Sequence, residues 1–258
     1  DNNSEDGSPD MAESEFPEFT ILRQSRNLGF TGGHNLAMTH CRGEHKALLN
    51  SDTIVHPGAI GTVVEFMQNN PESGIVGPKL LNPDGSLQYS CRRFPNPVAA
   101  AFRNTILGRL FPNNRYTREY LMQDWKPDGP RDVDWVSGAA LFIRGNVLAE
   151  IGPLDNTLFM FCEDVDWAKR TWNAGYKVTY LPSAVITHAI GRSTDKAPNR
   201  MIARFHRSMF RYYKKHNVPE SPLLARPFLL AFAATALTIR ASLFLTKNKI
   251  DIIRRKLG

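Results

Sequence analysis

Three carboxylates interrupt an aromatic, apolar run in Phe159-Met160-Phe161-Cys162-Glu163-Asp164-Val165-Asp166-Trp167. Apolar neighbours raise a carboxyl pKa, while a helix N-terminus favours the anion, so an acid placed here can have the basicity and the availability that a general base needs. An acidic helix cap would use the same residues, but so many aromatics beside the acids favour chemistry. A further carboxylate, Asp52, ends the polar close of the run Leu48-Leu49-Asn50-Ser51-Asp52-Thr53. At the C-terminal end of a strand in an open α/β sheet, such a group faces the ligand crevice. There it would hold Mg2+ or Mn2+ together with substrate phosphates, or merely cap the following helix; the motif alone leaves both open. His188 closes a third apolar run, Ala184-Val185-Ile186-Thr187, ahead of Gly191 and Ser193. A neutral imidazole at a strand end can ligate a metal, although a lone histidine is more often a hydrogen-bonded structural residue.

A fourth constellation is Asp1-Asn2-Asn3-Ser4 with Asn27-Leu28-Gly29-Phe30-Thr31-Gly32-Gly33-His34-Asn35. Short polar side chains and glycines let backbone approach a nucleotide, and a helix beginning after Gly33 would face phosphate. Plain turn chemistry explains the same residues, and for this motif taken alone it is the stronger reading.

Positioning these groups requires strands that end at one edge. Short apolar runs that read as buried strands recur at Phe19 to Leu22, Lys46 to Leu49, Gly74 to Val76, Ala139 to Ile143, Lys177 to Leu181 and Ala184 to Thr187. Helical patterns fall between them at Gly58 to Asn69, Val147 to Ile151 and Glu163 to Ala174. This alternation predicts an α/β domain with a largely parallel sheet. The proline- and arginine-rich stretch from Cys91 to Pro130 reads as an insertion with one helix near Ala99 to Leu110.

With 42% hydrophobic residues over 258 positions, the chain can bury a core, which argues against disorder. Cys41, Cys91 and Cys162 form neither a disulfide framework nor a zinc pattern and read as reduced thiols of a cytoplasmic protein. The net charge of +7 is concentrated in one place: Arg200 to Gly258 holds 13 Lys and Arg against two acids, leaving 19 basic and 23 acidic residues before it. Arg200, Arg204, Arg207, Arg211 and Lys215 share one helical stripe, opposite Ile202, Phe205, Met209 and Tyr213. Pro227 to Ile239 then gives 13 uncharged residues, short of the ~20 a spanning helix needs, so an interfacial or re-entrant helix is expected. A basic tail beside an apolar stretch suits an anionic membrane surface and argues against nucleic acid as partner.

In order and spacing, these pieces resemble glycosyltransferase family 2, particularly its rhamnosyltransferase-like members, from Asp1 to about His216. The resemblance rests on Asp1 to Ser8, Asn27 to Asn35, Leu49 to Thr53, Asp134 to Ala139, Gly152-Pro153-Leu154-Asp155, Glu163 to Trp167, and His188 with Gly191 and Ser193. It implies a GT-A-type fold over residues 1–199, lacking the first strands that relatives carry ahead of Asp1, and a tail of amphipathic helices over 200–258. It further implies inversion at the anomeric carbon and a divalent metal, Mn or Mg, held by Asp52 and His188. Asp164 matches the catalytic base, beside Glu163. Asp1, Asn3, Asn27, Gly29, Gly33, Asn35, Asn50 and Asp52 would bind the nucleoside-diphosphate sugar, with Asn50 standing where many relatives carry an acid. Trp135, Ser137, Gly138, Asp166 and Trp167 would line the sugar and acceptor pocket. The implied acceptor is a glycan or lipid-linked glycan at the cytoplasmic face of the membrane. The competing expectation is a truncated, non-catalytic binder of nucleotide-sugar or glycan.

Overall fold

The computed structural model describes residues 1–103, 105–189 and 198–257. In chain order the elements begin with α1 (Ser8–Glu15), α2 (Gly29–His40), β1 (His45–Leu49), β2 (Thr53–Val55), α3 (Ala59–Asn69) and β3 (Ser73–Leu81). There follow β4 (Leu87–Gln88), β5 (Cys91–Arg92), α4 (Pro97–Phe102), α5 (Ile106–Leu110), α6 (Arg115–Tyr120), β6 (Arg131–Asp132) and β7 (Trp135–Val136). The chain continues through β8 (Ala140–Arg144), α7 (Gly145–Ile151), α8 (Glu163–Asn173), β9 (Lys177–His188), α9 (Pro198–His216) and α10 (Arg226–Leu257).

Two compact units divide the chain. One comprises Cys41–Pro153 and Asp164–Ile190 and carries the sheet, in the order β1-β8-β3-β9-β2, with β4 beside β3 and β6 beside β9. The α/β expectation holds, and the sheet is mixed: β3 and β9 run parallel at its centre, while β1–β8, β3–β8 and β2–β9 are antiparallel. Strands β1 and β2 lie at opposite ends of this order, yet only Asn50, Ser51 and Asp52 join them. Four Cα steps reach at most ~15 Å, whereas four strand spacings in a flat sheet measure ~19 Å, so the sheet must curl at this edge. The register of β3 against β9 shifts between Pro78 and Lys79, where the partner jumps from Leu181 to Val185, and this irregularity supplies a bend.

Helix α3 packs Ala59, Val63 and Met67 against Val76 and Leu80 of β3, Phe142 of β8, and Leu181 and Ile186 of β9. Val63, Met67, Val76 and Leu80 have no exposed surface, and each such side chain contributes about 1.5–3 kcal/mol of burial. Gly77 has a steric reason: a Cβ there would lie 2.6 Å from Val136, so only glycine lets β7 cross β3. The insertion after Cys91 holds three short helices, α4 to α6, rather than one, because Asn96, Thr105 and Asn114 each cap a new start through a side-chain oxygen.

The other unit comprises Asp1–His40, Leu154–Glu163 and Gly191–Gly258. Phe19 to Leu22 is not a strand, contrary to the sequence pattern: Phe19 is 63% exposed, its N–H donates to the Phe16 carbonyl (3.0 Å), and the Leu22 carbonyl accepts from the Asp1 nitrogen (3.0 Å). Helix α9 uses three residues of its basic stripe internally, while Arg200 and Arg207 are exposed. Arg204 lies 4.1 Å over the Phe159 ring, Arg211 donates to the Thr157 carbonyl, and Lys215 pairs with Asp155 at 2.7 Å. Helix α10 is one continuous helix of 32 residues, and Leu223–Ile250 is long and apolar enough to cross a membrane, so the 13-residue apolar segment is part of a longer element.

Candidate active site

Strand pairing gathers the sequence-predicted acids. Leu49 pairs with Ala140, Leu81 with Thr187 and Thr53 with His188, so β1, β3 and β9 all end at the edge where β2 and β8 begin. At that edge Asn50 N–H donates to the Ala139 carbonyl (2.9 Å), and Ala189 N–H donates to the Asp52 carbonyl (3.0 Å). Gly138 N–H, one residue back, donates to Asp164 Oδ2 at 3.0 Å. The two-residue step Gly138-Ala139 therefore joins the segment carrying Asp52 to the carboxylate of Asp164, which brings the two acids to one edge of one unit.

Among the described residues, two backbone N–H groups hold the Asp164 carboxylate. Its Oδ1 accepts from Val165 N–H at 2.8 Å and its Oδ2 from Gly138 N–H, which leaves lone pairs on both oxygens. Burial pushes its pKa up, opposed by those two N–H groups and by the charge of Arg92. Arg92 itself is largely buried, with its guanidinium 5.3 Å from the centre of the Trp135 ring, and burial lowers its pKa. The chain enters α8 through Phe161 (φ 72°) and Cys162 (φ 65°), two consecutive non-glycine residues in the left-handed region. Such a conformation costs on the order of 1–3 kcal/mol per residue and is concentrated at sites where geometry matters.

The second centre is Asp52 with His188. Asp52 Oδ1 stands 3.3 Å from His188 Nε2, with Asn50 Nδ2 also 3.3 Å from that nitrogen. Both side chains are mostly buried but accessible, 25% and 11% exposed. Among the described residues, no group of three His, Cys, Asp or Glu gathers to cage a metal ion. One carboxylate and one imidazole fit a hard cation that draws its remaining ligands from substrate phosphates and water. Gly191 and Ser193 lie outside the described residues.

Most of the remaining expected site residues have internal hydrogen-bond partners. Ser137 N–H donates to the Ser90 carbonyl (2.7 Å), and Trp135 Nε1 donates to the Arg93 carbonyl (2.8 Å). Asp166 and Trp167, placed by sequence in the sugar pocket, have no exposed surface: Asp166 pairs with Arg170 at 2.9 Å and Trp167 Nε1 donates to the Gly152 carbonyl at 3.0 Å. Glu163 is buried. In the other unit, the Asp1 carboxylate accepts from Asn3 N–H (3.1 Å) and Ser4 N–H (3.2 Å), closing its own turn with Asn3 at φ 66°. Asn27 Oδ1 accepts from Gly29 N–H at 2.8 Å. A Cβ on Gly29 would sit 2.6 Å from the Phe159 carbonyl, and one on Gly33 would sit 3.0 Å from Asn2 Nδ2. Asn35 donates to the Leu154 carbonyl (2.8 Å) and Asn156 Oδ1 (2.9 Å), and accepts from Leu154 N–H (3.0 Å).

Two residues at the sheet edge escaped the sequence reading. Arg92 was counted only among the arginines of the insertion. Gln88 gave no signal of its own, but Asn82-Pro83-Asp84-Gly85-Ser86 is hairpin chemistry that would have placed it opposite Leu80.

The model of glycosyl transferase family 2 matches residues 1–128. The chain is also 30% identical, over 81% of its length and 71% of the relative's, to an N-acetylglucosaminyl-diphospho-decaprenol L-rhamnosyltransferase of Mycobacterium tuberculosis. The chain belongs to glycosyltransferase family 2. Weaker relatives of this family 2 chain include rhamnosyltransferase WbbL of Escherichia coli, 21% identical over 74% of the chain and 72% of the relative. Another is a dTDP-rhamnosyl transferase, RfbF, of Shigella flexneri, 22% identical over 91% of the chain and 75% of the relative. Among solved structures, a mannosyltransferase from Pyrobaculum calidifontis in complex with GDP-Man and Mn2+ superposes with a TM-score of 0.53 at 15% identity. It covers all of the chain, which spans 65% of that protein. GalNAc-T7 with UDP, GalNAc and Mn2+ superposes with a TM-score of 0.50 at 13% identity, over 72% of the chain and 35% of its own. The fold is therefore of the GT-A type, and the activity class of the chain is glycosyl transfer.

Proposed function

We propose that this chain is an inverting, metal-dependent rhamnosyltransferase whose donor is a deoxythymidine-diphosphate sugar and whose acceptor is a hydroxyl of a lipid-linked glycan. The observation that carries this reading is the Gly138-Ala139 step, which brings the Asp164 carboxylate to the same sheet edge as Asp52 and His188. A displacement at an anomeric carbon needs a base at one end and charge neutralisation at the other. Asp164 takes the proton of the acceptor hydroxyl as its oxygen bonds to the anomeric carbon and the bond to the diphosphate breaks. Its raised pKa gives it the basicity, and its two backbone N–H bonds hold it in place. Asp52 and His188 would hold a divalent cation, which when bound neutralises charge on the departing diphosphate. The activities of the relatives from Mycobacterium tuberculosis and Shigella flexneri motivate the choice of donor and of acceptor.

The tail suits a lipid acceptor by lying on the membrane. Along α10, Phe228, Phe232, Ile239 and Leu243 form an exposed apolar stripe. Another side of the same helix packs on α9, with Phe244 against His206, Arg240 against Met209, and Asn248 Nδ2 donating to Asn199 at 2.7 Å. A helix committed along one side to a polar, cationic partner fits the interface better than the bilayer interior.

The test is a transfer assay with dTDP-rhamnose, a polyprenyl-diphospho-N-acetylglucosamine acceptor and Mn2+, in the presence of vesicles. Transfer of rhamnose with inverted anomeric configuration, arrested by excess EDTA, is expected. Donor binding without release of dTDP would instead make the chain a binding protein, and full activity in EDTA would remove the metal from the mechanism.

A further inference from the structure

We infer that Gln88 is a positioning residue that fixes the ring of His188 with its proton on Nδ1 and its Nε2 turned toward Asp52. This rests on the reading of His188 as a metal ligand.

Amide and imidazole orientations are ordinarily ambiguous, because oxygen and nitrogen look alike and the tautomer must be deduced. One backbone carbonyl removes that ambiguity here. The Gln88 amide makes three contacts: its Nε2 lies 3.0 Å from the His188 carbonyl oxygen and 2.9 Å from Asn82 Oδ1, and its Oε1 lies 2.8 Å from His188 Nδ1. A carbonyl oxygen can only accept, so the Gln88 atom facing it must be the NH2 group. The other atom, facing the ring, is then the oxygen, which can only accept, so Nδ1 must carry the proton. Flipping the amide would place oxygen against oxygen at the His188 carbonyl.

Asn82 supports this orientation. Its Oδ1 accepts from Gln88 while its Nδ2 donates to Ser86 Oγ at 2.9 Å, and Ser86 Oγ donates to Asp84 Oδ1 at 2.6 Å. Reversing any one amide would set like groups against each other, so the exposed turn enforces the polarity of the whole chain of bonds. The β3–β4 hairpin thereby orients a side chain from a different strand, β9.

With the proton on Nδ1, the nitrogen facing Asp52 Oδ1 is Nε2, the one whose lone pair can bind a cation. Partners that fix the tautomer of a ligating histidine typically govern metal affinity by about 10–100-fold.

The test uses the full chain, metal-free, with 15N-labelled histidine and two-bond 15N–1H correlation spectra of the imidazoles, followed by titration with Mn2+. Wild type should show His188 as a single species protonated at Nδ1, its ring signals broadening as Mn2+ is added. Gln88→Met keeps the volume but removes the acceptor; it should let the Nε2-protonated tautomer appear and weaken Mn2+ binding about 10–100-fold, with a lowered unfolding midpoint because the His188 carbonyl and Asn82 Oδ1 also lose a donor. Gln88→Glu keeps an acceptor for Nδ1 but sets its second oxygen against the His188 carbonyl and Asn82 Oδ1, so it should retain the Nδ1-protonated ring at a lower unfolding midpoint. An Nε2-protonated, Nδ1-unprotonated ring in wild type, or a Gln88→Met variant with the wild-type spectrum, would overturn the assignment. If the Nδ1-protonated ring is lost in Gln88→Met yet wild type shows no response to Mn2+, the role of Gln88 stands and the metal reading fails.

Discussion

The Asn27–Asn35 motif and the edge bearing Asp52, Asp164 and His188 are equally polar in sequence, yet they use their polar atoms in opposite ways. In the first, Asn27 caps a helix start, Asn35 makes three bonds to Leu154 and Asn156, and Gly29 and Gly33 make room for Phe159 and Asn2. In the second, among the described residues, Asp164 accepts one backbone N–H on each oxygen and keeps its other lone pairs, while Asp52 faces an imidazole nitrogen at 3.3 Å. A motif that consumes its own hydrogen-bonding capacity builds scaffold, whereas one that is held in place with capacity left over is equipped for a ligand.

The sharpest way to break this contrast is Asp164→Asn. Transfer should fall by about 10²–10⁴-fold, with donor affinity measured by calorimetry nearly unchanged. Stability should change in its pH dependence. A carboxyl whose folded-state pKa is raised binds its proton more tightly when folded, so stability falls as pH rises through the window between the ordinary and the raised value. At neutral pH, Asp164→Asn removes that cost while setting its amide NH2 against one of the two backbone N–H donors, so the fall of the thermal midpoint with rising pH should disappear in the variant.

Asn35→Ala probes the scaffold side. Losing three hydrogen bonds in a bracing role should cost about 2 kcal/mol in denaturant unfolding while the donor KM changes by less than about twofold. A large rise in KM with unchanged stability would return Asn35 to the donor site.

Arg92→Met sharpens the electrostatics of the edge. Its guanidinium favours the Asp164 anion, so removing that charge raises the carboxyl pKa further, and the acidic limb of the kcat/KM profile should shift to higher pH. An unmoved limb would detach Arg92 from the base.

The smallest expected effect lies in the other unit. Burial would raise the Asp155 carboxyl, but the bond from Lys215 and those from Thr157 outweigh it and hold the pKa to about 2. A depressed carboxylate stabilises the fold above its ordinary value and loses that contribution as pH falls through roughly 4 to 2. Lys215→Met should remove about 1 kcal/mol at neutral pH, discounted because the lysine is partly exposed, and should flatten the acid dependence of the unfolding midpoint.

What was legible in the sequence followed from burial. Strands β1, β8 and β9 and helix α3 stood out because both sheet faces and one helix face are apolar, and their abrupt polar ends marked Asp52 and His188. Phe19 to Leu22 has the composition of a strand without its burial, and composition cannot supply a pairing partner. The basic stripe of α9 was visible as a pattern, but its use in seating Asp155, Thr157 and Phe159 depends on contacts about 50 residues away in sequence. Gln88 and Arg92 were hidden for a related reason: each acts on a residue far along the chain, His188 and Asp164.

The central claim is that the Asp52–His188 pair and Asp164 share one edge, and paramagnetic broadening by Mn2+ tests it directly. Amide resonances of Gly138 and Val165, the two donors to Asp164, should disappear together with those of Asn50 and Thr53 as Mn2+ is added. Sharp Gly138 and Val165 signals at saturating Mn2+, with Asn50 and Thr53 lost, would place the base away from the metal and contradict the account.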